Sequence, residues 1–416
     1  MRTTCWFVGA LAGLLAIGYL TLLGINRNDE APSAAAVRLE AMSARRPALA
    51  DSRNAYVSVA ALASGHAARR AARSAAVTAV VEACREPAAC EEALRAHPGA
   101  LHTWRAAETS LLEHYAGMLA AEGFQAPAPS GPDAPFVDYS AALDAQLLHL
   151  LGVRRDAIAG DPGAVREALE RDLAFWRRVL ASSDLLLTRM VAVAAVERHF
   201  QLGQLALRDL QAPLALEAVP MSWRQPLTDA ERGLMRPLAG EWRMVRGALM
   251  ASLAPGGGGA DAVGTSRLMR PLLQPQATLN RMAENLVGLD TLSLQPYPEL
   301  AGAVRALRER EEPASPGFAI RNPIGRVLAS SHASSMPAYA TYIARCADLE
   351  GLRRATLLAA TLRGQGVPSG AMPDALGRAR LRNPYDDAAF AWDAIDGAVV
   401  FEGLAGDPRA RHAVAY

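Results

Sequence analysis

From Trp6 to Gly24 the chain is an almost unbroken apolar run, preceded by a short head whose one charged side chain is Arg2. A run of about 19 residues is enough to cross a hydrocarbon core as a helix, and it exceeds the usual apolar region of a cleaved signal peptide. The expectation is an uncleaved N-terminal membrane anchor over residues 1–25. The free N-terminus and Arg2 compete with Arg27, which Asp29 and Glu30 dilute. Positive charge stays on the cytoplasmic side, so the N-terminus is expected inside and the body outside. In a bacterium that makes a single-pass inner-membrane protein with its body in the periplasm. The competing reading is a secreted soluble form cut at Ala34-Ala35-Ala36, which would occupy the same compartment. Cys5 precedes the apolar run and so is not placed as a lipidation cysteine, while Gly9 and Gly13 form a G-x-x-x-G that would let two such helices pack closely.

With 416 residues, 51% of them hydrophobic, the chain can bury a large core. A net charge of +1 gives no field that selects nucleic acid, and none is expected as a partner. Every basic side chain other than histidine is arginine, and the absence of lysine excludes a G-x-x-x-x-G-K nucleotide loop. No G-x-S-x-G, no H-E-x-x-H and no paired E-x-x-H is present, so neither cofactor nor metal is expected.

The four cysteines are Cys5, Cys84, Cys90 and Cys346. Cys84 and Cys90 bracket a short segment in which Pro87 interrupts a helix, an arrangement that favours a disulfide closing a small loop in an oxidising compartment. His97 and His102 extend this to C-x5-C-x6-H-x4-H, whose spacing fits structural zinc badly. Cys346 falls on the apolar stripe of a helix and reads as a buried, inert thiol.

The fold class expected is mainly α: a transmembrane helix, a multi-helix, bundle-like soluble domain and a short C-terminal β-hairpin. Residues 26–55 read as a tether, 56–380 as the helical domain and 381–416 as a terminal segment docked on it. Four prolines between Gln125 and Pro135 mark a surface connection. Asp161-Pro162 opens a helix carrying Leu169, Leu173, Trp176 and Leu180 at spacings of three and four. A break at Ser182-Ser183, with Asp184 as cap, leads to a second helix ending near Leu210, and the two form a helical hairpin. Thr228 and Glu231 make a capping box that opens a third long helix to about Leu253, kinked or split at Pro237. Gly256–Gly259 reads as a flexible loop. Helices follow near Gln276–Leu292 and Pro337–Arg363, the latter carrying Tyr339, Tyr342, Ile343, Cys346 and Leu349 on one face and ended by Gly364. Near the C-terminus an Asp396-Gly397 two-residue turn would place Trp392 opposite Phe401. Phe390, Trp392, Ala394, Val399 and Phe401 would then share the face that docks onto the body.

The segment Arg382-Asn383-Pro384-Tyr385-Asp386, with Phe390, Trp392 and the strand Val399–Gly403, resembles a terminal segment of uncharacterised bacterial envelope-associated helical proteins. Gln274–Asn280 and Asn322-Pro323-Ile324-Gly325 look like further motifs of that group. The likeness spans about 25 residues at the C-terminus, and Asp387 stands where those proteins commonly have Gly. It implies an exported bacterial protein with a terminal hairpin closing a helical domain, and no activity.

Carboxylates in an apolar groove gain a raised pKa and can serve as general acids, which makes Glu108, Glu113 and Glu197, with His114 and His199, the residues to weigh for a glycan-cleaving site. Each is more ordinarily a solvated or salt-bridged helix residue. Asp172, Trp176 and Arg177 are groove candidates, because Asp172 and Trp176 share a helix face at i, i+4, although a Trp among charges more often caps a core. Asn280, Asn322 and Asn383 sit where Asn fastens turns. The function expected is an interaction or scaffold component of the cell envelope, with an envelope protein as partner. The alternative is a periplasmic hydrolase acting on cell-wall glycan or peptide. A deep acidic cleft would favour the hydrolase, and an exposed apolar patch away from the anchor the scaffold.

Overall fold

The computed structural model describes residues 2–44, 46–85, 87–127, 137–253, 269–310, 319–406 and 410–416. Gly256–Gly259 and most of the proline-rich connection lie outside the described residues. The helices used below are α1 (Arg2–Asn26), α2 (Ala34–Ser43), α3 (Ser140–Ile158), α4 (Pro162–Ser182), α5 (Leu186–Asp209), α6 (Met235–Leu253), α7 (Pro275–Ser293), α8 (Tyr297–Arg308), α9 (Pro323–Ser334) and α10 (Met336–Gly364).

Among the described residues α1 is the one helix long and apolar enough to cross a membrane, and only 6% of its Gly9–Asn26 window is buried. The body is mainly helical. α4 begins where Asp161 accepts from the amide of Ala164 and Pro162 occupies the first turn. It folds back on α5, and α5 lies between α3, α4 and α10. That position explains why Ala192, Val193, Val196, Phe200 and Leu207 are all buried. Asp184 does not cap α5. The N-cap position is Leu185, and the Asp184 carboxylate accepts instead from Arg46 and from Arg236.

Short helices between Ala55 and Ala120 pack alongside α3 and contribute Val59, Leu62, Trp104, Tyr115 and Met118 to the same core. Cys84 and Cys90 are joined in a disulfide, and Pro87 begins the second of the two helices it links. Cys346 is a buried free thiol.

The capping box at Thr228 and Glu231 is formed, but its helix is a single turn, Asp229–Arg232. The break falls at Gly233, before Pro237, because the Asp290 carboxylate of α7 accepts from the amides of Leu234 and Met235. These bonds restart the chain as α6, and Pro237 sits in the first turn, where its missing N–H costs nothing. α10 runs through Gly364 instead of ending at it. Gly366, at φ 69°, takes the left-handed position, while Val367 N donates to Leu362 O and Gly366 N to Arg363 O. Gly364 is small because a Cβ there would meet Leu216 at 2.8 Å.

The C-terminus forms a three-stranded antiparallel sheet, β1 (Ala391–Asp393), β2 (Ala398–Glu402) and β3 (Arg411–Ala415), in the order β1-β2-β3. The register differs from a two-residue turn: Trp392 stands opposite Val399, with Ala394–Gly397 as the connection. Asp393 is the cause, since its Oδ1 accepts from the amides of Ile395 and Asp396 and closes a wider turn with Gly397 at φ 58°. A slip of two residues leaves each remaining side chain on its expected face. Phe390, Val399 and Phe401 are buried, whereas Trp392 is half-buried, edge-on to Tyr416 at 5.6 Å. Phe401 lies on Gly351 of α10, where a Cβ would come within 2.0 Å of the ring. Beside it the Asp348 carboxylate accepts from Tyr385 Oη at 2.6 Å and from the amides of Leu404 and Ala405 at 2.7 and 2.8 Å. Burial raises the Asp348 pKa despite these donors.

Phe401→Ala is expected to destabilise the protein by about 3–5 kcal/mol. Trp392→Ala should cost about 1–2 kcal/mol, its ring being only partly removed from water. Denaturant titration of the full chain in mild detergent measures both, and equal losses would contradict the packing described. His412 of β3, stacked on Phe401 at 5.5 Å, has its pKa pushed down by burial to about 4. The unfolded chain therefore binds a proton that the folded chain refuses, so stability present above about pH 6.5 is lost as pH falls toward 4, by about 3 kcal/mol in all. His412→Gln should remove that part of the slope in the same titration repeated across pH.

Candidate functional site

A dense polar arrangement joining distant parts of the chain lies at the foot of α1. Asn26, its last residue, is buried although it ends an exposed apolar helix. Its Nδ2 donates to Leu22 O and to Ile320 O, and its Oδ1 accepts from the amide of Asn322 at 2.6 Å. Asn322 itself sits in the left-handed region at φ 51° as the N-cap of α9. Its Oδ1 accepts from the amides of Gln274 and Gly325, and its Nδ2 donates to Thr278 Oγ1. A Cβ at Gly325 would lie 2.0 Å from that hydroxyl, so the turn requires glycine.

The next residues continue the junction. Gln274 Nε2 donates to Asn28 O. The Asp29 carboxylate accepts from the amides of Gln276 and Ala277 at 2.7 and 2.9 Å. It thus places a negative charge on the free donors at the N-terminus of α7, where both the hydrogen bonds and the helix dipole favour it. Asn280 donates to Ala31 O and accepts from the amide of Ser33. Ser33 in turn caps α2, whose Ala36 and Leu39 are buried where it packs against α6 and α7. Residues 26–43, expected as part of a tether, are thus packed segment by segment onto the body. At about 0.5–1.5 kcal/mol for each net hydrogen bond, this strap is held by several kcal/mol.

Asn280 and Asn322 do fasten backbone, and Asn383 does so too, accepting from the amide of Tyr385. Two stretches singled out in the sequence, Gln274–Asn280 and Asn322–Gly325, thus meet at one place. Sequence reading missed Asn26, Asn28, Asp29 and Ser33. The available signal was a polar Asn closing an apolar helix, followed by an Asp with no helix of its own to cap.

Asp172, Trp176 and Arg177 do not line a groove. Asp172 and Trp176 are core residues, and Asp172 accepts from Tyr115 Oη at 2.5 Å, from His199 Nδ1 at 2.7 Å and from Gln146 Nε2 at 3.2 Å. Trp176 Nε1 donates to Tyr115 Oη, and Trp223 Nε1 donates to His199 Nε2 at 2.8 Å. An indole N–H can only donate, so His199 Nε2 carries no proton and the ring is held in one tautomer. Burial pushes the Asp172 carboxyl up, but the hydrogen bonds it accepts from His199 and Tyr115 oppose that, and it is held below the usual range. Both reactive atoms of the His–Asp pair are consumed inside the core, which suits a joint between α3, α4 and α5 better than chemistry. Arg177 faces elsewhere. It pairs with Glu231 at 2.5 Å and donates to the carbonyls of Ser222, Gln225 and Pro226, fixing that loop to α4.

Comparison with protein-family models, with curated proteins and with solved structures finds no match.

The remaining carboxylate candidates are dispersed. Glu108 is buried near Arg69 and Arg73, Glu197 pairs with Arg345 at 3.3 Å, and Glu113 and His114 are exposed. Among the described residues no group of three or more His, Cys, Asp and Glu side chains is placed to hold a metal. With Cys84 and Cys90 in a disulfide, their spacing to His97 and His102 offers a metal no thiolate. A groove of about 780 Å³ opens where the segment after α2 passes α6, lined by Met42, Arg46, Leu49, Tyr56, Asp184 and Arg243. Two of its arginines, Arg46 and Arg236, are bridged by Asp184, and much of the remaining lining is apolar.

Asp172→Ala would leave the donors of Tyr115, His199 and Gln146 without their buried acceptor, at an expected cost of roughly 3–5 kcal/mol. Denaturant titration reads this directly, and a change below 1 kcal/mol would show that the network does not join the three helices.

Proposed function

We propose that this chain is a single-pass membrane protein of the bacterial envelope, with α1 retained as its anchor and its helical body serving as an interaction or scaffold component in the periplasm. The observation that carries this reading is the strap from Asn26 to Ser33. A body on a slack linker samples every orientation within its reach, whereas here the last residue of the apolar helix is hydrogen-bonded to α9 and the residues after it to α7. Such a body is held in one pose above the surface that α1 enters, which raises the effective concentration of any partner confined to that layer. Cutting at Ala34–Ala36 would strip Asn26, Asp29 and Ser33 from their partners, which favours a retained helix over a cleaved one. The disulfide supports an oxidising compartment. The charge balance around α1 supports a body on the periplasmic side. The likeness of the terminal segment to those of envelope-associated helical proteins agrees with export.

The hydrolase alternative draws no support from the geometry: of the carboxylates weighed for it, Glu108 lies near Arg69 and Arg73, Glu197 pairs with Arg345 and Glu113 is exposed, and none of them lines the groove beside α6. Protein purified from membranes is expected to resist release by alkaline carbonate, to retain residues 1–25 by intact mass, and to give a Cys84–Cys90 peptide in a non-reducing map. It should also co-purify a stoichiometric envelope protein that is lost when α1 is replaced by a cleaved export signal. A mature N-terminus near Ala36, or free thiols at both cysteines, would overturn the anchored periplasmic reading; isolation without any partner would remove the scaffold role.

A further inference from the structure

We propose that the end of the body surrounding the foot of α1 is itself a bilayer-contacting face, with Met250, Met269, Ile320 and Val327 at headgroup level and Arg27, Arg321 and Arg326 meeting the phosphates of anionic phospholipid. This rests on the reading that α1 spans a membrane. The four apolar side chains are 50%, 38%, 52% and 53% exposed, although each adjoins buried structure. Met250 and Val327 are the sequence neighbours of Leu249 and Leu328 in a small core, separate from the main one, in which Leu249, Leu273 and Leu279 pack with Leu253, Ile324 and Leu328. Ile320 is joined through its carbonyl to Asn26, the exit residue of α1. Met269 leads into the turn Arg270–Leu272, which packs on α1, and Arg270 donates to Ser252 O in the last turn of α6, beside Met250. Val327 lies one turn beyond Ile324 on α9.

The occupant follows from position and charge. A helix rises about 1.5 Å per residue, so a bilayer filled by the apolar part of α1 has its edge within a few ångströms of Asn26. The headgroup layer is roughly 5–8 Å deep on each side, and whatever is fixed beside Asn26 lies in it. Arg27, Arg321 and Arg326 are exposed there. Of the nearby acids, Asp29 is occupied as the cap of α7, and Glu30 lies 3.9 Å from Arg321. Exposed aliphatic and thioether side chains with arginines nearby in the same segments are what an interfacial surface presents to anionic lipid.

The test uses the full chain reconstituted in vesicles containing phosphatidylglycerol, with acyl chains brominated near the headgroup, and compares Ile320→Trp and Val327→Trp with the parent protein. The expected result is that the added indole emission is blue-shifted and mostly lost to bromine quenching, and that the shift shrinks in purely zwitterionic vesicles or when Arg321→Gln and Arg326→Gln are added. Protein that floats with the vesicles while the added emission in both variants stays unquenched and solvent-like would overturn this contact and leave the anchor intact. Equal quenching in anionic and zwitterionic vesicles would overturn the phosphate contacts. Protein that fails to float with the vesicles would remove the anchor and this face together.

Discussion

A carboxylate taken out of water must find its partners in the protein, and the cost of leaving it unpaired is what makes it an effective fastener. Three buried aspartates joint this fold. Asp172 gathers Tyr115, Gln146 and His199 across the centre of the body. Asp290 accepts from the two amides that restart the chain as α6. Asp348 holds a tyrosine and two amides of the terminal segment against α10. In each case a helix supplies the acceptor, and a segment distant in sequence supplies the donors. The alanine- and leucine-rich surfaces around them are interchangeable in chemistry, so these polar joints select which helix lies beside which.

The helices were legible where a cap and a stripe agreed. Asp161-Pro162 with its apolar repeat located α4, and the long apolar face of α10 located that helix to within a residue. Legibility failed where a side chain reached out of its own neighbourhood. Nothing near Pro237 reveals that Asp290 will restart the helix before it. Nothing near Gly397 reveals that Asp393 will widen the turn, and β3 was not anticipated as a partner of β2 although Gly406-Asp407-Pro408 is a turn signal in the sequence between them. Asp172 and Trp176 were correctly placed on one face, but whether that face met a groove or the core depended on α3 and α5.

The junction beneath α1 failed the same test more completely. Its donors and acceptors stand almost 250 residues apart for Asp29 and almost 300 for Asn26. The two motifs that form the socket were visible as motifs, and the strap that fills it looked like a linker because it has no periodicity of its own. A polar segment of low complexity is thus a poor guide to disorder when the body elsewhere carries unsatisfied helix ends.

That separation imposes an order on synthesis. The strap leaves the ribosome well before Gln276 and Ala277, whose amides Asp29 caps, and before Asn322, which Asn26 holds, so its partners emerge only after most of the body has been made. Domains fold as their sequence appears, so the central helices can collapse while the strap still hangs free. A strap made before its partners is thus seated after them, and closure of the body onto the foot of α1 follows the collapse of the central helices.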